Sequence, residues 1–276
     1  MDATGMSAAH GDPVPDLEPT KPSGLSGRVV VERDGFHLDV ELDMEDGQTL
    51  AVVGPNGSGK STLIGAIAGL LPLTGGTLSH RLRTLDNPEA EVFVPAEDRG
   101  FALVPQDGVL LPHLSVLDNV GFGLRHVTSG WRVANTTNPN LALGGRRGRP
   151  ERDRRAIAAL EAVGMAGSAD RRPGDLSGGQ AQRVAVARAL ALEAPVLLLD
   201  EPLSNIDVDN RQMIRNLLRS ERPIDQIQVV VTHGRDHVFD ADVVLAIEAG
   251  LVLATGKPIE LAADPPAKWV ADLFDR

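Results

Sequence analysis

The chain predicts an α/β fold with a mainly parallel sheet, an N-terminal antiparallel β part and an inserted helical subdomain. Three observations carry this. Short apolar runs at residues 49–54 (TLAVVG), 196–200 (VLLLD) and 228–233 (QVVVTH) have the length and make-up of strands buried on both faces. The first runs into a glycine-rich loop and then a helical pattern, the order of a β–α unit. Between residues 115 and 192 the strand runs stop and apolar residues recur at helical spacing.

Taken in order, residues 1–27 hold several prolines and small residues without apolar periodicity and are expected to form a flexible tail. Order is expected from Arg28 onward, with paired strands at 28–31 and 37–42, the second alternating apolar and charged side chains. The buried strand 49–54 follows, then a helix over 63–71. Residues 107–192 form the helical subdomain, with helices at 152–163 and 181–192. Inside it, residues 126–150 (including NTTNPN and GGRRGRP) lack periodicity and are expected to be a mobile surface loop, and the arginines of 146–155 a solvated basic face. The last strand is expected near Gly256, and residues 28–276 make one domain.

Composition limits the function classes. At 276 residues and 42% hydrophobic, the chain is long enough to bury a large core. No run of about 18 uncharged apolar residues is present, so a cytoplasmic protein without a membrane span is expected. Zero cysteines exclude disulfides and thiolate metal sites. A formal net charge of −11 argues against nucleic acid as a partner, because binding a phosphate backbone needs basic surface.

The chemistry concentrates in a few segments. GPNGSGKST, made of Gly54, Pro55, Asn56, Gly57, Ser58, Gly59, Lys60, Ser61 and Thr62, satisfies the phosphate-loop pattern and points to a P-loop NTPase core. Its glycines let backbone N–H groups wrap the β-phosphate, Lys60 brings charge to the β- and γ-phosphates, and the Ser61 hydroxyl ligates Mg2+. Asp200 ends a buried strand, where a carboxylate can hold the metal, and Glu201 beside it suits activation of water. A second helix start rich in glycine, DLSGGQA at 175–181, is another anion cradle, far from the first.

With these segments together, the chain resembles the nucleotide-binding subunits of ATP-binding-cassette (ABC) transporters from Arg28 to about Ala263. The family's motifs stand in order: GPNGSGKST, VPQD with Gln106, LSGGQ at 176–180, VLLLDEP at 196–202, SNID at 204–207 and VTHG with His233. The resemblance implies ATP and Mg2+ as ligands and a head-to-tail homodimer. In it, Ser177, Gly178, Gly179 and Gln180 of one copy cover the γ-phosphate held by the loop of the other. It further implies that Glu201, His233 and Gln106 are catalytic, that Gln106 joins Ser61 and Asp200 at the metal, and that Asp207 touches the opposite copy. A γ-phosphate held by one loop stays open to water on one side, so a partner's helix start would close it only while ATP is bound.

Two departures from the family pattern matter. There is no tyrosine, and Phe36, the one aromatic before Gly54, is expected to pack in the core rather than stack on adenine. SNID and VTHG differ mildly from the commoner family texts but keep the acidic and imidazole groups. Residues 94–125 are similar to the ATPases of molybdate, sulfate and related oxyanion importers, which implies integral permease subunits, a solute-binding protein indirectly, and a place on the inner face of the cell membrane. Pro112, His113 and Leu114 are expected in the permease groove. No β-rich regulatory domain is expected after Gly256. The alternatives are an importer of iron, polyamine or thiamine, or a non-transport ABC ATPase.

Overall fold

A computed structural model describes residues 24–125, 149–220 and 222–275. The expected tail over residues 1–27 and loop over 126–150 lie outside the described residues except at their ends, where Leu25, Ser26 and Gly27 belong to a strand and Arg149 and Pro150 to a helix. Strand β1 (Leu25–Arg33) turns at Asp34 and Gly35, both at positive φ (50° and 80°), into β2 (Phe36–Met44). That two-residue turn matches the twist of the strands it joins. β1 starts three residues ahead of the expected Arg28, because Leu25 is fully buried and pairs with both Met44 and His80. One apolar residue among small polar ones leaves no periodic signal.

Next come β3 (Thr49–Val53), α1 (Lys60–Ala68), β4 (Gly75–His80), β5 (Arg83–Asn87), β6 (Val92–Phe93), α2 (Ala96–Arg99) and β7 (Ala102–Val104). Helix α1 differs from the expected 63–71: it begins on the glycine loop and stops at Gly69, whose φ of 80° no ordinary helical residue adopts. Helices α3 (Val116–Val120), α4 (Arg149–Ala162) and α5 (Gly178–Leu190) lead to β8 (Val196–Asp200). The chain continues through α6 (Val208–Ser220), β9 (Ile227–Val231), α7 (Arg235–Asp240), β10 (Val243–Glu248), β11 (Leu251–Gly256), α8 (Pro258–Ala263) and α9 (Lys268–Asp275).

The strands form one hydrogen-bonded order, β6-β5-β4-β1-β2-β11-β10-β3-β9-β8-β7. The N-terminal strands β1, β2, β4, β5 and β6 pair antiparallel, and β10, β3, β9, β8 and β7 pair parallel. Strands β3 and β9 are buried along their whole length, as a parallel sheet covered on both faces requires. The register is close: Val52 faces Val231, Asp200 faces Val231, and Val104 faces Leu199. Four strands therefore end within a residue of one another, along one edge.

One core cluster packs α1 between the two halves of the sheet through Leu63, Ile64 and Ile67 against Val29, Leu38, Val52 and Val229. A second joins α3, α4 and α5 to β7 and β8, with Val116, Leu160, Val184 and Leu199 fully buried. A third, around Val53, Val238, Val270 and Phe274, seats α7 and α9 on the other face. Among the described residues no helix is long and apolar enough to cross a membrane.

Arg99, just ahead of β7, is wholly buried at the far end of α1. Its Nη1 donates to the carbonyls of Ala66 (2.7 Å) and Ile67 (2.9 Å), its Nε to Val94 O (2.7 Å), and its Nη2 lies 3.4 Å from Asp86. A cation at the carbonyl end of α1 complements the helix dipole and closes backbone acceptors that the helix leaves open. Burial pushes the Asp86 carboxyl above its usual range, and the amide of Leu73 and the Arg99 charge pull against that. Arg99→Met leaves this carboxylate buried and unpaired. Urea unfolding should show a loss of about 3–5 kcal/mol, whereas Arg28→Met, which breaks the exposed pair with Asp39, should hardly move the midpoint.

Candidate functional site

The glycine loop leaves β3 at Gly54. A Cβ there would stand 2.2 Å from the Ile247 carbonyl oxygen, so no larger residue fits. At the other end Gly59 sits at φ 107°, and a Cβ on it would meet Phe36 Cζ at 2.8 Å and Leu38 Cδ1 at 2.9 Å. Phe36 is half-buried and packs against the core cluster of α1, with its tip directly under the loop. Gly59 caps α1 without a side-chain hydrogen bond, and the first-turn amides of Lys60, Ser61 and Thr62 have no acceptor within the helix. Pro55, Asn56 and Gly57 form the exposed crest.

Two features fit this loop to a polyanion. Ser58 Oγ is buried without a hydrogen-bond partner. Lys60, 7% exposed, has its Nζ turned onto the loop's own carbonyls, Gly54 O and Pro55 O, each at 2.8 Å. Burial lowers the Lys60 pKa, and Glu201 and Asp200 pull it back up. A bound phosphate would supply the counter-charge that these carbonyls only approximate.

Beside it, Ser61 Oγ donates to Asp200 Oδ2 at 3.1 Å. Burial raises the Asp200 pKa and Glu201 adds to it, while Ser61, Lys60 and His233 act in the opposite direction. Glu201 takes a left-handed backbone conformation, φ 47°, held by its amide donating to Val231 O at 3.0 Å. Such strain in a non-glycine residue costs on the order of 1–3 kcal/mol and needs surrounding structure to persist. The Glu201 carboxylate faces two groups: His233 Nε2 at 3.1 Å from Oε1, and Gln106 Nε2 at 3.5 Å from Oε2. The ends of β3, β7, β8 and β9 thus bring Lys60, Ser61, Gln106, Asp200, Glu201 and His233 into one cluster. A hydroxyl and a carboxylate suited to a divalent cation stand next to a carboxylate suited to take a proton from water.

The second cradle stands apart from this cluster. Ser177 caps α5: Gln180 N donates to Ser177 Oγ at 3.3 Å, and Ser177 N to Gln180 Oε1 at 3.0 Å. Among the described residues no hydrogen bond joins residues 176–180 to the loop 54–62. Ser177 and Gly178 are exposed, and Gly179 is pressed on the Asn205 carbonyl, 2.7 Å from where a Cβ would be. Asp207 is exposed as well and accepts from Asn210 N and Nδ2 at 2.8–3.0 Å, bonds that lower its pKa. Sequence reasoning passed over Gln182. It is 1% exposed, donates to Pro202 O at 3.2 Å and lies against Gly108, tying α5 to the segments that carry Glu201 and Gln106. Its signal was a lone amide on the apolar face of a helix.

A family profile described as ABC transporter matches residues 38–204, more than half of the chain. The chain is 42% identical over 246 residues to the molybdenum import ATP-binding protein ModC of Mycobacterium tuberculosis, covering 88% of this chain and 62% of that protein. It is 37% identical over 238 residues to the Fe(3+) ions import ATP-binding protein FbpC of Agrobacterium fabrum (86% and 61%). It is 36% identical over 247 residues to the maltose/maltodextrin import ATP-binding protein MalK of Yersinia pestis (89% and 59%). The chain thus spans about three fifths of the length of these relatives. Among solved structures, the dimeric post-hydrolysis state of the ATP-binding cassette MJ0796 bound to ADP and Pi is similar. Its TM-score is 0.67 at 27% identity, over 85% of this chain and 98% of that one.

Lys60→Ala removes the one ammonium inside the cradle. Calorimetry should show affinity for ATP reduced by about tenfold or more, the size of one charge-assisted contact; unchanged affinity would place the triphosphate elsewhere.

Proposed function

The chain belongs to the ABC transporter family, and on that premise we propose that it is the ATP-hydrolysing subunit of an importer, with an oxyanion such as molybdate or sulfate as cargo. The observation that carries the catalytic part is the meeting of Lys60, Ser61, Gln106, Asp200, Glu201 and His233 at one edge of the sheet. The cargo reading leans on the relative named for molybdenum. The relative named for Fe(3+) favours iron as the second reading.

In this proposal residues 54–62 receive the triphosphate and Lys60 exchanges carbonyl partners for phosphate oxygens. Ser61 and Asp200, joined by Gln106, would hold Mg2+, which when bound neutralises phosphate charge. Glu201 accepts the proton of the attacking water, held in line by its backbone strain and by the imidazole at 3.1 Å. His233 also stands ready to contact the γ-phosphate. A group that takes a proton and two groups that hold charge then act on one phosphorus.

Ser177, Gly178, Gly179 and Gln180 would serve the nucleotide of a second copy, and Asp207 would touch that copy. The exposure of Ser177, Gly178 and Asp207, and the absence of a hydrogen bond from residues 176–180 to the chain's own loop among the described residues, support this division of labour. ATP then acts as removable glue between two copies: binding favours the closed dimer and hydrolysis releases it. Permease subunits would dock near Gln106, at Pro112, His113 and Leu114, where Val109 is 60% exposed. That docking would bring the subunit to the inner face of the cell membrane, with a solute-binding protein engaged through the permease.

Glu201→Gln should bind ATP, lose most turnover and accumulate as an ATP-dependent dimer in size-exclusion chromatography. Wild-type hydrolysis in this variant would remove Glu201 from the role of base.

A further inference from the structure

At the sheet edge opposite the glycine loop, a cavity of about 300 Å³ opens between the end of α6, the start of β3 and the turn from α7 to β10. Its walls carry three guanidiniums, Arg215, Arg219 and Arg222, and two carboxylates, Asp240 and Asp242. Arg215 and Arg219 stand four residues apart on α6 and so share one face. In a chain of net charge −11, an excess of cations in a concave site runs against the general balance.

The charges are unevenly matched. Asp240 serves both Arg215 Nε and, at 3.3 Å, Arg219 Nη1. Asp242 is bound to backbone, its Oδ2 accepting from Thr49 N at 2.8 Å. Arg222 is half-buried, and among the described residues it makes one hydrogen bond, from Nη1 to Thr49 Oγ1 at 2.6 Å, and no ion pair. A guanidinium offers five donors in a planar fork that fits the oxygens of a tetrahedral anion. The Thr49 hydroxyl, accepting from Arg222, keeps its own proton to donate. Thr49 is 9% exposed and Arg222 half-buried, so the hydrogen bond between them is partly withdrawn from water.

We propose that this cavity binds a small tetrahedral oxyanion, either a free phosphate or sulfate ion or the phosphoryl group of a small metabolite, between Arg222, Arg219 and Thr49. Charge complementarity favours an anion: three guanidiniums line the cavity against two carboxylates, Asp240 is shared by Arg215 and Arg219, and among the described residues Arg222 has no carboxylate partner. The site lies at the opposite end of β3 from the nucleotide loop and stands whether or not the nucleotide reading does.

The test uses the Lys60→Ala chain, in which phosphate binding at the glycine loop is weakened, titrated calorimetrically with inorganic phosphate, sulfate and glycerol 3-phosphate. One equivalent of oxyanion should bind, and adding Arg222→Gln should weaken it by about tenfold or more. Arg219→Gln, at a side chain 72% exposed and safe for folding, should weaken it less. Arg222→Lys should fall between, keeping charge and losing the fork. Thermal midpoints in phosphate-free buffer should match across the set. Glycerol 3-phosphate binding tighter than phosphate assigns the site to a metabolite, and equal binding assigns it to the free ion. Equal phosphate affinity with and without Arg222, or no saturable binding below about 10 mM, overturns the proposal.

Discussion

The in-register parallel pairing of β3, β9, β8 and β7 is the constraint on which the site depends. Val52 opposite Val231, Asp200 opposite Val231 and Val104 opposite Leu199 bring four strand ends to one line. Each then emits one part of the chemistry within a few residues: the loop with Lys60, Asp200 with Glu201, His233, and Gln106. A slip of one residue would turn a strand's side chains to the opposite face. It would part Ser61 from Asp200, now 3.1 Å apart, and the Glu201 carboxylate from the imidazole. Continuous apolar runs such as LLL and VVV supply the burial that forces the pairing, and the polar residues are spent at the ends.

The loop and the carboxylates are held under opposing stresses that a ligand would relieve. Lys60 is buried against carbonyl oxygens, Ser58 Oγ has no partner, and Asp200 is pushed toward its neutral form by burial and by Glu201. These are costs that a stable fold normally avoids. Arg99 bears on the same helix from its other end, anchoring the carbonyls of Ala66 and Ile67 to Asp86 and to the segment that enters β7. Gln182 makes the corresponding link from the helical part, touching the segments of both Gln106 and Glu201.

Much of this was legible in the sequence where one force dominates. Strands 49–53 and 196–200 announce themselves by continuous burial, and the glycine pattern announces the loop. Strands β4 and β5 did not, since GGTLSH and RTLDN pair antiparallel with much of their length half-exposed, and β7 is three residues long. Arg99 and Gln182 look like surface residues in one dimension, and only tertiary packing puts them at 3% and 1% exposure. The pairing of Arg222 with a hydroxyl rather than a carboxylate likewise spans 173 residues of chain and leaves no local mark.

The central claim is that LSGGQ of one copy completes the nucleotide site of another, and complementation in a mixed dimer tests it most directly. A Lys60→Ala chain and a Ser177→Arg chain are each purified, shown to be inactive alone, then mixed and assayed for ATP hydrolysis. In the mixed dimer both lesions fall in one composite site and the other site has an intact loop and an intact cradle, so the account predicts that hydrolysis returns on mixing. If mixing restores nothing, or if Ser177→Arg hydrolyses normally by itself, residues 177–180 merely cap α5 and the shared site is contradicted.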